Sequence, residues 1–580
     1  MTEIFSQTFE RTLDALVKQA VSGQSFEAWT FDDVQSRREA ERRLSERGVN
    51  ARIRSAYKPL LHAFLEEIDL TGVESVQIAY PVHTAAPANR FRLEAYPLAA
   101  LVREAKIDFV LRDDDAFFYD VVLKRASGTE TLKVLAPNRV HVDIVGETNV
   151  SPTGWLRRDE DEAGERLETD YERLFERAID AVAKHDWGHY EPYFNELNIR
   201  ILYPSDDFPL AIGDEVVSLR EALHEDVYFS LLEFFQKKSG RPLGDRGLKP
   251  GQIVPEVIKS DAEISVRIET RPLGTTFLDG TDHAIDTATA PLAVAQIAYL
   301  LAEIGGEEFT AHARSGRKVS ACYVRGSDAP VMISGGQHPN ETTGIVGALR
   351  AAGQLKTRAG AHFTISPLEN PDGYAIHQRL RVDNPRHMHH AARYTALGDD
   401  LEYRTVENSG AHLNEKDIRF KAQALSAATL HLNLHGYPSH EWTRPLSGYV
   451  PRNFEMWTLP KGFFLIVRYH HGWAEQAEAL LDKVTRHLSA IPGLLKSTNR
   501  QIGLYEIHAG ETGFRTINGF PCFSSFDDSN TVPVTLITEY PDETIYGDSF
   551  VAGHTAQMQT VISAYEAWQE IVASTQSAVV

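Results

Sequence analysis

The sequence predicts an α/β protein in which a mixed, mostly buried central sheet is flanked by helices, preceded by an N-terminal α+β accessory region. Two observations carry this: the length of the chain, and a change of pattern near residue 280, after which apolar strand-like runs alternate with helical stretches. With 580 residues and 64.8 kDa, the chain exceeds the roughly 250–300 residues that one hydrophobic core sustains. At 42% hydrophobic, it has the apolar material for more than one core. The division falls between 1–280, the accessory region with room for two subdomains, and 281–580, a single α/β domain.

The opening segment, MTEIFSQTFERTLDALVKQA, reads as an amphipathic helix. It carries acidic residues and lacks the apolar core and small-residue cleavage site of a secretory signal, so a cytoplasmic protein is expected. DDVQSRREAERRLSER reads as a charged helix, and Ser75 to Ala79 and Asp108 to Leu111 as strands. LREALHEDVYFSLLEFFQKK has apolar residues at helical spacing and predicts an amphipathic helix. Its His224 and Glu225 do not continue into a metalloprotease H-E-x-x-H pattern, because Tyr228 stands at the second histidine position. VQIAYP and FRLEAYPL are echoed by IRILYP and VRIETRPL, a faint sign of duplication at unequal spacing.

From Asp282 onward, DTATAPLAVAQIAYLLAEIGG predicts a helix closed by glycine. KVSACYV, PVMISGG, HFTISPLENPDG, ATLHLNLHGYP and VPVTLITEYP read as strands, with helices over Trp473 to Leu488 and Thr555 to Val572. Catalytic groups would gather at the strand ends of such a sheet.

The balance of 59 Lys plus Arg against 81 Asp plus Glu gives a net charge of -22, which argues against broad capture of nucleic acid or anionic lipid. The most apolar short run, Gly462 to Val467, is far below the roughly 20 residues that span a bilayer and reads as a buried strand or helix start. Cys322 and Cys522 are too few for a disulfide framework or a cysteine zinc module, and leave open a single bridge.

His338 and Glu341, in VMISGGQHPNETTG, place an imidazole and a carboxylate three residues apart after an apolar strand. With 23 His and 81 acidic residues, one such pair is expected by chance, so its value depends on what lies downstream. A catalytic zinc ion takes three protein ligands and keeps one position open. His435, where the LHLNLH strand meets a Gly-Tyr-Pro turn, is the candidate third ligand. Water activation also needs a general base. Glu539, ending the apolar run of VTLITEYPDE, fits that role, since partial burial would raise its pKa toward the working range.

These residues resemble the ordered signature of the zinc carboxypeptidases of the carboxypeptidase A type, or funnelins, over roughly residues 285 to 575. The chain supplies His338-x-x-Glu341, then Asn370-Pro371-Asp372-Gly373-Tyr374, then His435, then Glu539. The resemblance implies a carboxypeptidase-like domain, one zinc ion per chain held by His338, Glu341 and His435, and Glu539 shuttling a proton to the leaving amine. It also implies an arginine, soon after the Asn-Pro-Asp-Gly segment, that polarises the scissile carbonyl. Counting from Asn370 favours Arg386, with Arg381 and Arg379 as alternatives.

In the family, a Gly-x-Asp-x-Asn-Arg stretch supplies an aspartate to the first histidine and an Asn-Arg pair to the substrate carboxylate. Here Gly398 to Arg404 stands nearest: Asp400 is the expected partner of His338, but Glu402 and Tyr403 stand where Asn and Arg would be. A carboxylate there would repel a carboxylate-terminated substrate unless Arg404 or another arginine replaces the clamp. Tyr505 is the candidate for the tyrosine that closes over substrate, and Arg515 and His508 stand near it in sequence. His387, His389 and His390 read as a polar rim rather than as a second metal site.

The implied function is zinc-dependent hydrolysis of an amide or peptide bond, with a peptide or small amide as substrate and neither nucleic acid nor membrane as partner. One alternative is an N-acyl amino acid deacylase of the aspartoacylase or succinylglutamate desuccinylase type. Another is an inactive zinc-binding interaction protein, which would be expected to lose Glu539. Residues 1–280 could narrow the cleft, bind the far end of the substrate, or build the interface of a homo-oligomer.

Overall fold

A computed structural model describes residues 1–102, 105–159, 161–406 and 412–579. The first 271 residues hold three four-stranded sheets. In one, Ile264–Arg271 pairs antiparallel with Thr2–Phe9 and with Glu196–Tyr203, which runs parallel to Gln252–Lys259. The chain therefore opens as a strand, and the expected helix starts only at Thr12, ending at Gln19. Thr, Ile and Phe favour a pleated surface, and Ile4, Phe5 and Phe9 pack against the core under this sheet, which outweighs the helical spacing.

The other two sheets are built on Ser25–Thr30 with Asn50–Ser55, and on Val73–Tyr80 between Lys106–Leu111 and Phe118–Arg125. Of the echoed segments, VQIAYP and IRILYP both end strands, Val73–Tyr80 and Glu196–Tyr203, but the second pair does not correspond. FRLEAYPL runs through the short helices Arg90–Glu94 and Leu98–Leu101, whereas VRIETRPL begins in a strand. The echo therefore does not extend beyond one strand.

Leu219–Lys238 is a helix, but not an amphipathic one at a surface. Arg220, Glu221, His224, Glu225, Asp226 and Glu233 are buried along with its apolar residues. The C-terminal half covers the face that the charges would have turned to water: Glu221 meets His440, Glu225 meets His390, and Glu233 meets Arg444 and Arg452. Val227, Phe229 and Phe235 share one apolar cluster with Ile376, Leu380, Met388, Trp442 and Phe454. The two regions thus meet through a continuous core.

The C-terminal half is built on a nine-stranded mixed sheet, as the sequence predicts. Its centre is four parallel strands, Phe363–Ser366, Val331–Gly335, Leu430–Pro438 and Val534–Glu543 in that spatial order. Antiparallel partners close both sides, Lys318–Val324 on one and Phe464–Tyr469 on the other. Thr342–Leu355, Ala474–Ser489 and Asp548–Val579 carry much of the apolar cluster beneath the sheet. The last helix is longer at both ends than the predicted Thr555 to Val572. Asp417–Ser426 packs on the sheet with Ile418 and Ala422. The Gly462 to Val467 run enters the buried strand Phe464–Tyr469, and both cysteines are buried and free. Among the described residues, no helix is long and apolar enough to cross a membrane.

Four parallel strands end at one edge, and the loops that follow them converge there. His435 and Glu539 are direct cross-strand partners at that edge.

Candidate metal centre and active site

Val331–Gly335 delivers His338 to this edge through a turn at Gly336, whose φ of 63° suits glycine. The chain then enters the helix Thr342–Leu355 directly after Glu341. Asp542, near the end of the Glu539 strand, accepts from the backbone N of Thr343 at 2.9 Å and from its hydroxyl at 2.6 Å. The helix N-terminus is thereby tied to the strand that carries Glu539.

His338 Nδ1 lies 2.9 Å from Glu341 Oε1 and 3.1 Å from His435 Nδ1, which lies 2.9 Å from Glu341 Oε2. One donor atom from each of the three fits within 4.8 Å of the others. Both imidazoles are oriented from behind. Nε2 of His338 meets Asp400 Oδ2 at 3.1 Å, and Nε2 of His435 meets Gln337 Oε1 at 3.2 Å. Gln337 itself is held by Arg419, by Asn433 and, through its Nε2, by Asp400. With Nε2 donating outward, each Nδ1 presents its lone pair to the centre, the tautomer a metal ligand needs. Glu341 Oε2 also accepts from the backbone N of Gly436 at 3.0 Å, a position where a Cβ would lie 2.0 Å from Asp542 Oδ1. Only glycine fits there. The three donors suit zinc in type and number.

Glu539 is buried on the pocket wall beside this group. Burial first, and the Glu341 charge second, push its carboxyl well above the usual range. Lys461 opposes that push. It sits among the rings of Tyr437, Trp457, Phe464 and Tyr505, and burial lowers its ammonium to about 7 against the attraction of Glu539.

Arg379, Arg381 and Arg386 do not line the pocket. The helix Pro371–Asp383 turns Arg379 onto Glu196 and Glu256 of the accessory region, each at 2.8 Å, and Arg381 toward the carbonyl of Pro291. Arg386 is 55% exposed and lies 4.0 Å from Asp214. The arginine at the centre is Arg393, whose Nη1 donates to Glu341 Oε1 at 2.7 Å. The Asn-Pro-Asp-Gly segment places it from a distance. Asn370 caps its own helix by accepting from Gly373 N at 2.9 Å, and its Nδ2 reaches the carbonyl of Arg393. At Gly373 a Cβ would stand 2.3 Å from the carbonyl of Ala392. The short helix His390–Arg393 is thus docked on the motif.

His390 lines the pocket one turn before Arg393, with its Nδ1 on Glu225 of the accessory helix. His387 is bound to Asp207 at 2.8 Å and His389 faces His377. The histidine-rich segment therefore joins the two regions rather than forming a second metal group.

Glu402 and Tyr403 line the pocket, but the Glu402 charge is taken up. Burial alone would raise its carboxyl; Lys416 and Arg419 hold it well below the usual range, and Arg468 lies 3.6 Å away. Arg404 is buried on Asp399 and Glu415, with no access to substrate. Tyr505 packs with Leu93, Tyr96 and Leu459 outside the pocket lining. His508 is buried against the carbonyl of Arg92, and Arg515 pairs with Glu478. Met388, Tyr437, Trp442, Phe454, Ile466 and Ile537 supply the apolar wall. Of the histidines that the sequence reads as a polar rim, His390 does line the pocket, whereas Gln337, Arg393 and Arg246, which also line it, are not indicated by the sequence.

No family model matches the chain, and no curated protein matches it. Solved structures do. A metallo-carboxypeptidase from Burkholderia cenocepacia is 15% identical over 53% of this chain and 76% of its own, with a TM-score of 0.28. An aspartoacylase family protein from Mesorhizobium loti is 14% identical over 47% and 71%, at 0.24. The succinylglutamate desuccinylase from Chromobacterium violaceum is 13% identical over 46% and 76%, at 0.25. Such likeness concerns fold, over about half of the chain. The chemistry of the site rests on its own residues.

Proposed function

We propose that the protein is a zinc-dependent hydrolase of amide bonds. One observation supports this above the others: two imidazole Nδ1 atoms and a carboxylate converge at the end of a parallel sheet, each imidazole oriented by a partner on Nε2, with a buried carboxylate alongside. His338, Glu341 and His435 would hold the ion, and a bound zinc would supply Lewis acidity and lower the pKa of a coordinated water to about 7.

Glu539 would take a proton from the attacking water and hand it to the leaving nitrogen, so that the amine departs neutral. Part of what raises its carboxyl is the Glu341 charge, which a dication held by Glu341 would offset. Arg393 would steady negative charge developing on the carbonyl oxygen. The apolar wall excludes water and accepts an apolar portion of the substrate.

A second reading keeps this centre and changes the substrate to a small N-acyl amino acid. It is favoured by Glu402 and Tyr403, which leave no Asn-Arg pair at that place. Carboxyl-terminated peptides, the same peptides amidated, and N-acyl amino acids separate the readings when incubated with the zinc-loaded protein. Cleavage of a peptide or N-acyl amide, suppressed by a chelator and restored by zinc, is the expected result. Hydrolysis that survives complete removal of the metal contradicts the proposal.

A further inference from the structure

Apart from Glu539 beside the metal group, the charged side chains that line the pocket are engaged by a partner, with one exception. Asp400 is engaged by His338 and Gln337, Glu402 by Arg419 and Lys416, and Arg393 by Glu341. Arg468 has Glu402 at 3.6 Å and Asp527 at 3.9 Å. Arg246 differs. Its guanidinium lies 5.0 Å from the ring centre of Phe454 and 5.8 Å from that of Tyr403. Among the described residues, no carboxylate oxygen lies within ion-pair distance of it, and its side chain has no hydrogen-bond partner.

Its placement is fixed by backbone. Arg246 O accepts from Asp400 N at 3.4 Å, which ties the Arg246 loop to the segment that orients His338. Gly398 packs against the same loop so closely that a Cβ would meet Gly251 O at 2.3 Å. The accessory region thus sets a half-buried cation into the wall of the pocket that holds the metal group. A guanidinium stacked on aromatic rings keeps its N–H edge available for a planar anion, in which two parallel hydrogen bonds match a carboxylate.

From this we infer that Arg246 is the specificity-determining residue of the site, and that it binds a carboxylate carried by the substrate, beside an apolar group seated on Trp442, Phe454 and Ile466. The inference deepens the amide-hydrolase reading and rests on it for the identity of the pocket. The accessory region is then a working wall of the active site, and residues 1–280 cannot be dispensed with in substrate choice.

The test reads binding rather than turnover. Zinc-loaded protein is titrated with 3-phenylpropionate and, separately, with 3-phenylpropionamide, by calorimetry or ligand-observed NMR. Wild type should favour the carboxylate by about tenfold or more, the scale of a charge-assisted bidentate contact. Arg246→Gln should lose most of that preference, and Arg246→Lys, which keeps the cation without the fork, should fall between. All three proteins should hold the same zinc and melt at closely similar temperatures. A preference that survives Arg246→Gln, or none in wild type, overturns the assignment. So does a preference that disappears on chelation in wild type, since the carboxylate would then sit on the metal. Failure of the hydrolase reading would show instead as absent zinc or absent turnover in the unaltered protein.

Discussion

Nε2 of His338 stands 3.1 Å from Oδ2 of Asp400, so the carboxylate of one loop fixes which nitrogen of the other loop's imidazole faces the donor group. Asp400 can do this because both residues are buried. Although burial would raise its carboxyl, His338 holds it well below the usual range, ionised at any working pH. Asp400→Ala should therefore weaken zinc binding by about 10–100-fold, the usual effect of removing the partner of a ligating histidine. Competition with a chromophoric chelator measures this, and an unchanged affinity would show that His338 needs no such partner.

Glu539→Gln should keep zinc and lose turnover by about 10²–10⁴-fold, the range attributed to one acid-base group. Glutamine has nearly the same volume and leaves the three donors untouched. Activity within a few-fold of wild type would place the base elsewhere.

Arg393→Gln should lower kcat by about 10²–10³-fold, as expected for a charged group that stabilises an oxyanion. Arg386→Gln should stay close to wild type, because that side chain is half exposed and 4.0 Å from Asp214. The reverse ranking would restore the arginine favoured by sequence spacing.

Glu225 meets Nδ1 of His390 across the boundary between the regions. Burial first, then Glu221 and Glu543, push the Glu225 carboxyl up, while burial and Arg393 push His390 down. Both shifts favour the uncharged form of their group, so Glu225→Gln should be tolerated, with an amide N–H replacing the acid proton. Glu225→Ala should cost about 1–3 kcal/mol by leaving a buried imidazole without its partner. Thermal unfolding compares the two, and equal losses would indicate an ionised glutamate.

The parts of the site legible in the sequence are those written locally. His338, Glu341, His435 and Glu539 sit at strand ends, where an apolar run stopping at a turn already states which side chain is delivered to the edge. Asp400 could be found by its place in a short spaced stretch. The arginine could not, because counting from Asn370 assumes one continuous path. The helix Pro371–Asp383 carries Arg379 to the accessory region, and a second short helix brings Arg393 back. Arg246 lies about ninety residues before the first ligand, and its place depends on packing that no spacing records. The opening strand and the buried charges of Leu219–Lys238 were misread for one reason: each is decided by a distant partner, Ile264–Arg271 in one case and the histidines and arginines of the C-terminal half in the other.

The central claim, that His338, Glu341 and His435 form a zinc centre, is tested most directly by metal analysis of the purified protein and its His338→Ala and His435→Ala variants. The account predicts close to one zinc per chain in wild type and almost none in either folded variant. Full zinc in both variants, or a zinc-loaded wild type whose metal is lost only when other histidines are replaced, would contradict it.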